Sequence, residues 1–196
     1  GNTVLVRGLD CLDGTPLSLS SVQDAVTAGI AYVPEDRLSE GLFMRQPIAR
    51  NVIASAIGKA TRGPFLDHDR LNGLAEQIVS DMRIATPDIE KHAGQLSGGN
   101  QQRVVIGRWL LTDPKVLILN GPTVGVDVGS KAEIHRRIRE LAANTGLAVL
   151  MISDDVREVI QNCNRSLLMH RGEIVDRLDA RSVEEDDIHG RLKGLR

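Results

Sequence analysis

The chain is 196 residues long, room for one ordinary domain or a domain with a small insert, and too short for two full ones. Its 24 Lys and Arg against 26 Asp and Glu leave a formal net charge of −2, which supplies neither a polycation for nucleic acid nor an acidic tail. At 41% hydrophobic and 26% charged the composition is globular, and the aromatics Tyr32, Phe43, Phe65 and Trp109 are too few for a platform that stacks bases.

Two cysteines, Cys11 and Cys163, make no disulfide framework and suit a reducing cytosol. No apolar run approaches the roughly 20 residues of a membrane span, and the start of the chain lacks a signal-peptide pattern. These features predict a soluble cytoplasmic domain.

Residues 3–6 (Thr-Val-Leu-Val) read as a strand, and 12–16 as a turn punctuated by Asp13-Gly14 and Pro16. A helix begins over 20–26 and stops at Gly29. Ile30, Ala31, Tyr32 and Val33 form a short strand running into the loop Pro34-Glu35-Asp36-Arg37. From 47 to 98 apolar residues recur at helical spacing: Ile48, Val52, Ile53 and Ile57, then Leu71, Leu74, Ile78 and Met82. This predicts a small helical subdomain inserted in an α/β chain.

After Gly99 the α/β pattern resumes with an amphipathic helix over 101–111. The apolar run 116–119 fits a strand buried on both faces of a parallel sheet. A helix over 130–143 carries Ile134, Ile138 and Leu141 on one face, and 148–152 predicts a second buried strand. Residues 166–169 and 173–175 predict a closing hairpin, and 181–196 a loosely held polar tail. The fold class is α/β, with a parallel-sheet core from 1–46 and 99–180 and the helical subdomain over 47–98.

The octapeptide Leu96-Ser97-Gly98-Gly99-Asn100-Gln101-Gln102-Arg103 carries the chemistry. Two glycines open a helix, and Ser97 stands where an N-cap belongs. Free amides, a helix N-terminus and a hydroxyl together suit an anion, phosphate above all. Elsewhere, the five histidines (His68, His92, His135, His170, His189) show no paired metal-ligand spacing. Ser153-Asp154-Asp155 lacks the Gly-x-Ser-x-Gly elbow of a hydrolase. The mixed charges over 131–140 predict a solvated helix face.

The octapeptide resembles the signature motif of ATP-binding-cassette (ABC) ATPases, a P-loop NTPase-like fold. The strand at 116–119 then takes the Walker B position, and Val124-Gly125-Val126-Asp127-Val128-Gly129 resembles the D-loop. Asn100-Gln101-Gln102, Gly125-Val126-Asp127 and the stretch from Ala28 to Arg37 are similar to the C-terminal cassette of two-cassette bacterial sugar importers. The resemblance runs from about 12 to 175. It implies that Ser97, Gly98, Gly99 and Gln101 face an ATP held by an opposite cassette, with Asp127 at the D-loop and Glu35 at the Q-loop. A Cβ at Gly99 would obstruct the approach to that ATP.

The chain departs from the family pattern in two respects. No Gly-x-x-x-x-Gly-Lys-Ser/Thr phosphate loop occurs: Gly58-Lys59-Ala60 and Gly129-Ser130-Lys131 both fail the pattern. The sequence leaves open whether the chain starts after that loop or has lost it between residues 9 and 12. The second departure is Asn120-Gly121 where the family has Asp-Glu after the Walker B strand. An amide lacks the charge that supports Mg²⁺, and glycine has no group to orient the attacking water. Asp154 replaces a switch histidine and Glu35 the Q-loop glutamine.

The resemblance therefore implies a half of an ATPase powering import of a sugar or polyol, supplying its signature to a partner and degenerate for hydrolysis itself. ATP and Mg²⁺ belong to the assembled complex. The implied partners are a second cassette in the same or another chain, membrane-spanning permease subunits and, indirectly, a periplasmic solute-binding protein, with no nucleic acid. The implied location is the inner face of the cell membrane. Rival readings are a truncated, inert remnant and a DNA-repair-type ABC ATPase, whose long heptad coiled coils have no counterpart between Glu35 and Leu96.

Overall fold

The computed structural model describes residues 11–194, so the strand expected over 3–6 lies outside the described residues. Strands β1 (Cys11–Leu12) and β2 (Thr15–Pro16) form a minimal antiparallel hairpin. Asp13 and Gly14 turn it at φ of +52° and +75°, the two left-handed residues that a turn matched to strand twist requires. Helix α1 (Val22–Thr27) starts where Ser21 accepts a hydrogen bond from the Asp24 amide at 3.1 Å. Gly29, at φ +87°, then turns the chain into β3 (Ile30–Val33).

A single π-turn, Arg37–Gly41, follows where the sequence predicts only a loop. Asp36 caps it, accepting from the amides of Leu38 and Ser39 at 2.9 and 3.3 Å. Helix α2 (Ile48–Ile53), a hairpin of β4 (Thr61–Arg62) and β5 (Phe65–Leu66), and α3 (His68–Asp81) come next, with helix α4 (Gly98–Leu110) packing on α2 and α3. Fully buried Asn51 fastens α2 to α4. Its Oδ1 accepts from the Phe43 amide at 2.9 Å and from Arg108 Nη2 at 2.8 Å, and its Nδ2 donates to the carbonyls of Phe43, Gln46 and Pro47. Burial pushes the Arg108 pKa down to about 10.

The central sheet is parallel, with β3 beside β6 (Val116–Asn120) and β6 beside β7 (Ala148–Ile152). Helix α5 (Val128–Thr145) connects β6 to β7 and ends at Gly146 in the left-handed conformation. Strand alternation divides the sheet into two faces. Ala31, Val33, Leu117 and Leu119 are at most 1% exposed and join the core with Val104, Val105 and Ile106 of α4 and Ile134 of α5. The opposite face carries Tyr32, Leu150 and Ile152, at 43%, 47% and 48% exposed.

The expectation of strands buried on both faces is therefore corrected. Val116, Ile118 and Asn120 are only half-buried, and β7 alternates between exposed and half-buried residues. An apolar run fixes a strand, but which faces are covered depends on other elements. Among the described residues, this face stays partly open.

Helix α6 (Val156–Asn162) precedes the antiparallel pair β8 (Arg165–His170) and β9 (Glu173–Asp179). The expected loose tail is instead helix α7 (Glu185–Gly194), which packs on α6. Ile188 is buried at 4% exposed, and Arg157 Nε donates to Glu185 at 3.1 Å. One apolar anchor in a polar segment was enough to dock it, and a single residue gives no periodicity to read.

Candidate functional site

The N-terminal end of α4 is built by glycine packing. A Cβ on Gly99 would lie 2.4 Å from Ser130 Oγ and 2.6 Å from Ser130 Cβ at the start of α5. A Cβ on Gly98 would lie 2.9 Å from Arg37 Nη2 and 3.0 Å from the Gly125 carbonyl. Gly99 is thus required by a contact within this chain, and Gly98 takes a Cβ only if Arg37 and the Gly125 carbonyl give way.

Ser97 behaves differently from its neighbours. It has extended backbone at the N-cap position, φ −62° and ψ 157°, yet its side chain makes no capping hydrogen bond. The hydroxyl instead accepts from Asn100 Nδ2 at 3.1 Å and lies at the exposed surface. Its own proton has no acceptor among the described residues. Gln101, 6% exposed, donates to the carbonyls of Ala93 and Leu96 at 3.3 and 3.2 Å, holding the chain that leads into Ser97.

Asp127 caps α5 by accepting from the Ser130 amide at 2.9 Å, and the Ser130 amide and hydroxyl hold its carboxyl below the usual carboxylate range. Ser130 therefore meets both Gly99 and Asp127, bringing the signature and D-loop positions together.

The strand ends form a second cluster. Asn120 Nδ2 donates to the Tyr32 hydroxyl at 3.3 Å, and Gly121 donates its amide to the Ile152 carbonyl at 2.9 Å. Gly121 has φ +53°, and a Cβ there would lie 2.9 Å from Glu35 Cγ and 3.1 Å from Val124 Cγ2. Tyr32, Glu35, Arg37, Asn120, Val124 and Gly125 line a groove of about 520 Å³. Asp154 lies exposed between β7 and α6 and does not line this groove.

Beneath the loops sits a buried cluster that sequence reasoning missed. Glu158, 9% exposed, accepts from Thr123 Oγ1 at 2.5 Å, from His135 Nε2 at 2.7 Å and from the Ser153 hydroxyl. Burial pushes its pKa up, but the hydrogen bonds from His135, Ser153 and Thr123 prevail and hold it down at about 2. Asp155 accepting from the Glu158 amide matches a helix-start signal in the sequence, whereas the burial of Glu158 has no local signal. Ser153 and Asp155 thus serve the start of α6, and His135 is a core histidine.

Arg37 was legible only as part of a motif. In the fold its Nη1 donates to the Val124 carbonyl at 2.7 Å, its Nη2 to the Gly125 carbonyl at 3.2 Å and its Nε to Gln101 Oε1 at 3.3 Å. It joins the groove to the start of α4.

Residues 3–124 match the family model described as ABC transporter. The chain is 43% identical over 172 residues to a ribose import ATP-binding protein of Agrobacterium fabrum, covering 88% of this chain and 34% of that protein. It is 38% identical over 184 residues to a putative ribose/galactose/methyl galactoside import ATP-binding protein of Pseudomonas fluorescens, covering 94% and 36%. The chain thus spans about a third of the length of the curated relatives it matches. Among solved structures, cbiO1 from Clostridium perfringens, part of the ABC transporter complex cbiONQ, aligns with a TM-score of 0.72 at 22% identity, over 95% of this chain and 71% of that one. A nucleotide-free ATP-binding cassette from an ABC transporter aligns at 0.71 and 20% identity, over 92% and 71%. Both show the shared fold.

Proposed function

The chain belongs to the ABC transporter family, and from that premise we propose that it lends its signature end to an ATP held by an opposite cassette while lacking a competent hydrolytic site of its own. The observation that carries this reading is the Ser97 hydroxyl: exposed, accepting from Asn100 and free to donate its proton. It stands with the α4 N-terminus, where backbone amides favour an anion.

The strand end does not fit ATP with Mg²⁺. Asn120 offers a neutral amide already turned to Tyr32, and Gly121 has no side chain to aim at water. Its left-handed backbone and the nearby Glu35 leave no room for a glutamate without rearrangement. The 196 residues contain no phosphate-loop string, which bears on the isolated chain alone.

The relatives are named as a ribose import and a putative ribose/galactose/methyl galactoside import ATP-binding protein, so the proposed system imports a sugar or related polyol. Permease subunits, a second cassette and, indirectly, a periplasmic solute-binding protein complete it, and ATP and Mg²⁺ act in that assembly. The chain would sit on the cytoplasmic face of the membrane; none of its described helices is long and apolar enough to cross one.

Ser97→Ala tests the reading in a reconstituted two-cassette complex. Deleting one hydrogen bond to a charged phosphate should lower ATP turnover by roughly 10- to 150-fold with the melting temperature unchanged. Unchanged turnover would overturn it. The isolated chain should also show no low-micromolar binding of ATP–Mg by calorimetry.

A second reading, an inert remnant, is favoured by the open sheet face of Tyr32, Leu150 and Ile152. Failure of the purified chain to unfold cooperatively would support it.

A further inference from the structure

We infer that Arg37 is a positioning residue that locks the start of α4 and the loop 122–127 into one body. Its planar guanidinium reaches two separate segments at once: the carbonyls of Val124 and Gly125 on one side, and Gln101 Oε1 on the other. Gln101 passes the tie to the carbonyls of Ala93 and Leu96, immediately before Ser97.

Two glycines make room for the lock. Gly98 approaches Arg37 so closely that a Cβ would lie 2.9 Å from Nη2, and a Cβ on Gly125, at φ +67°, would lie 3.4 Å from Nη1. The anchor of Arg37 is itself fixed by the Asp36 cap on the π-turn. The Ser39 hydroxyl and the Leu38 and Ser39 amides keep the Asp36 carboxyl below the usual carboxylate range. A segment leaving the end of β3 thereby sets the spacing between Ser97 and the loop that leads to Asp127. A lysine ammonium, a single point of charge, cannot span both loops.

The consequence for turnover rests on the pairing with an opposite cassette proposed above; the lock itself does not. Hydrogen exchange on the isolated chain reads the lock directly. Arg37→Met should accelerate amide exchange about tenfold or more in both 97–102 and 123–127, with α3 unchanged. Wild-type exchange in either segment would overturn the proposal. Should Arg37→Met fail to fold, Arg37→Lys keeps the charge and stem: faster exchange in at least one segment supports the lock, and wild-type exchange in both overturns it.

In the two-cassette complex, Arg37→Lys should lower kcat about tenfold without raising KM for ATP, because the nucleotide is held by the other cassette. If Ser97→Ala leaves turnover unchanged while Arg37→Met loosens both segments, the pairing falls and the lock stands. If exchange is unaltered while Ser97→Ala is impaired, the lock falls and the pairing stands.

Discussion

The two ends of the site have opposite characters. At the start of α4, Gly98 and Gly99 are fitted so closely against Arg37, Gly125 and Ser130 that neither can take a Cβ unless a neighbour moves, while the Ser97 hydroxyl accepts from Asn100 and finds no acceptor for its own proton among the described residues. At the ends of β3, β6 and β7 stand the neutral Asn120 and Gly121, and the adjoining sheet face is half open. In the proposed reading, a docking surface is tightly specified while the neighbouring hydrolytic chemistry is absent. Close packing by itself marks a shape that is needed, not a reaction.

Within the site, the largest expected effect falls at the tight end. Gly99→Asp places its Cβ onto Ser130 and a carboxylate beside Asp127, so it should cost about 3 kcal/mol or more in stability. The Cβ expected to obstruct a partner's ATP thus also meets this chain's own Ser130. Urea melts of Gly99→Ala, with and without Ser130→Gly, separate the two effects: Ser130→Gly should recover most of the loss. No recovery would mean that Ser130 is not what confines Gly99. Ser97→Ala, by contrast, should leave stability within about 0.5 kcal/mol.

Next in size is the buried carboxylate under both ends. Glu158 has its folded pKa held at about 2, below the ordinary 4.5. Its contribution is therefore fully present above about pH 4.5 and is lost as the pH falls toward 2. Glu158→Gln should cost on the order of 2 kcal/mol at pH 6 and much less at pH 3, by urea unfolding of both proteins at each pH. A penalty that stays the same at both pH values would show that packing, not ionisation, is what the glutamate supplies.

A smaller effect is expected at the strand end. Gly121→Ala forces a Cβ into the left-handed region and toward Glu35, costing about 1–2 kcal/mol. Glu35→Ala removes the Cγ that the new Cβ would meet and should recover part of that loss. Asn120→Asp with Gly121→Glu should still give no ATPase in the isolated chain, since the phosphate loop remains absent. A steady Mg²⁺-dependent rate would mean that another segment cradles phosphate.

These contrasts follow how legible each part was in the sequence. Strands β3, β6 and β7 and helix α4 were readable because apolar runs and a glycine start are local patterns. The octapeptide and Asn120-Gly121 were readable because they are contiguous. The roles of Arg37 and Glu158 were not, because their partners lie up to 88 and 35 residues away. Helix α7 hid behind one buried isoleucine, and the exposure of Leu150 and Ile152 depends on what covers a face rather than on their own chemistry.

The smallest effect concerns that face. Leu117 is 1% exposed on the closed face of β6, so Leu117→Ala should cost about 2–5 kcal/mol through lost burial and the cavity left behind. Leu150, 47% exposed on the open face of β7, has little contact to lose. Threonine introduces a β-branch that suits a strand, so Leu150→Thr should change stability by less than about 0.5 kcal/mol. Paired urea melts give the ratio between the faces directly. A loss above about 1.5 kcal/mol for Leu150→Thr, the range of a substitution in a packed interior, would show that this face is covered in the folded chain. The inert-remnant reading would then lose the one observation that favours it, and the sheet would be closed on both sides as its sequence pattern predicts.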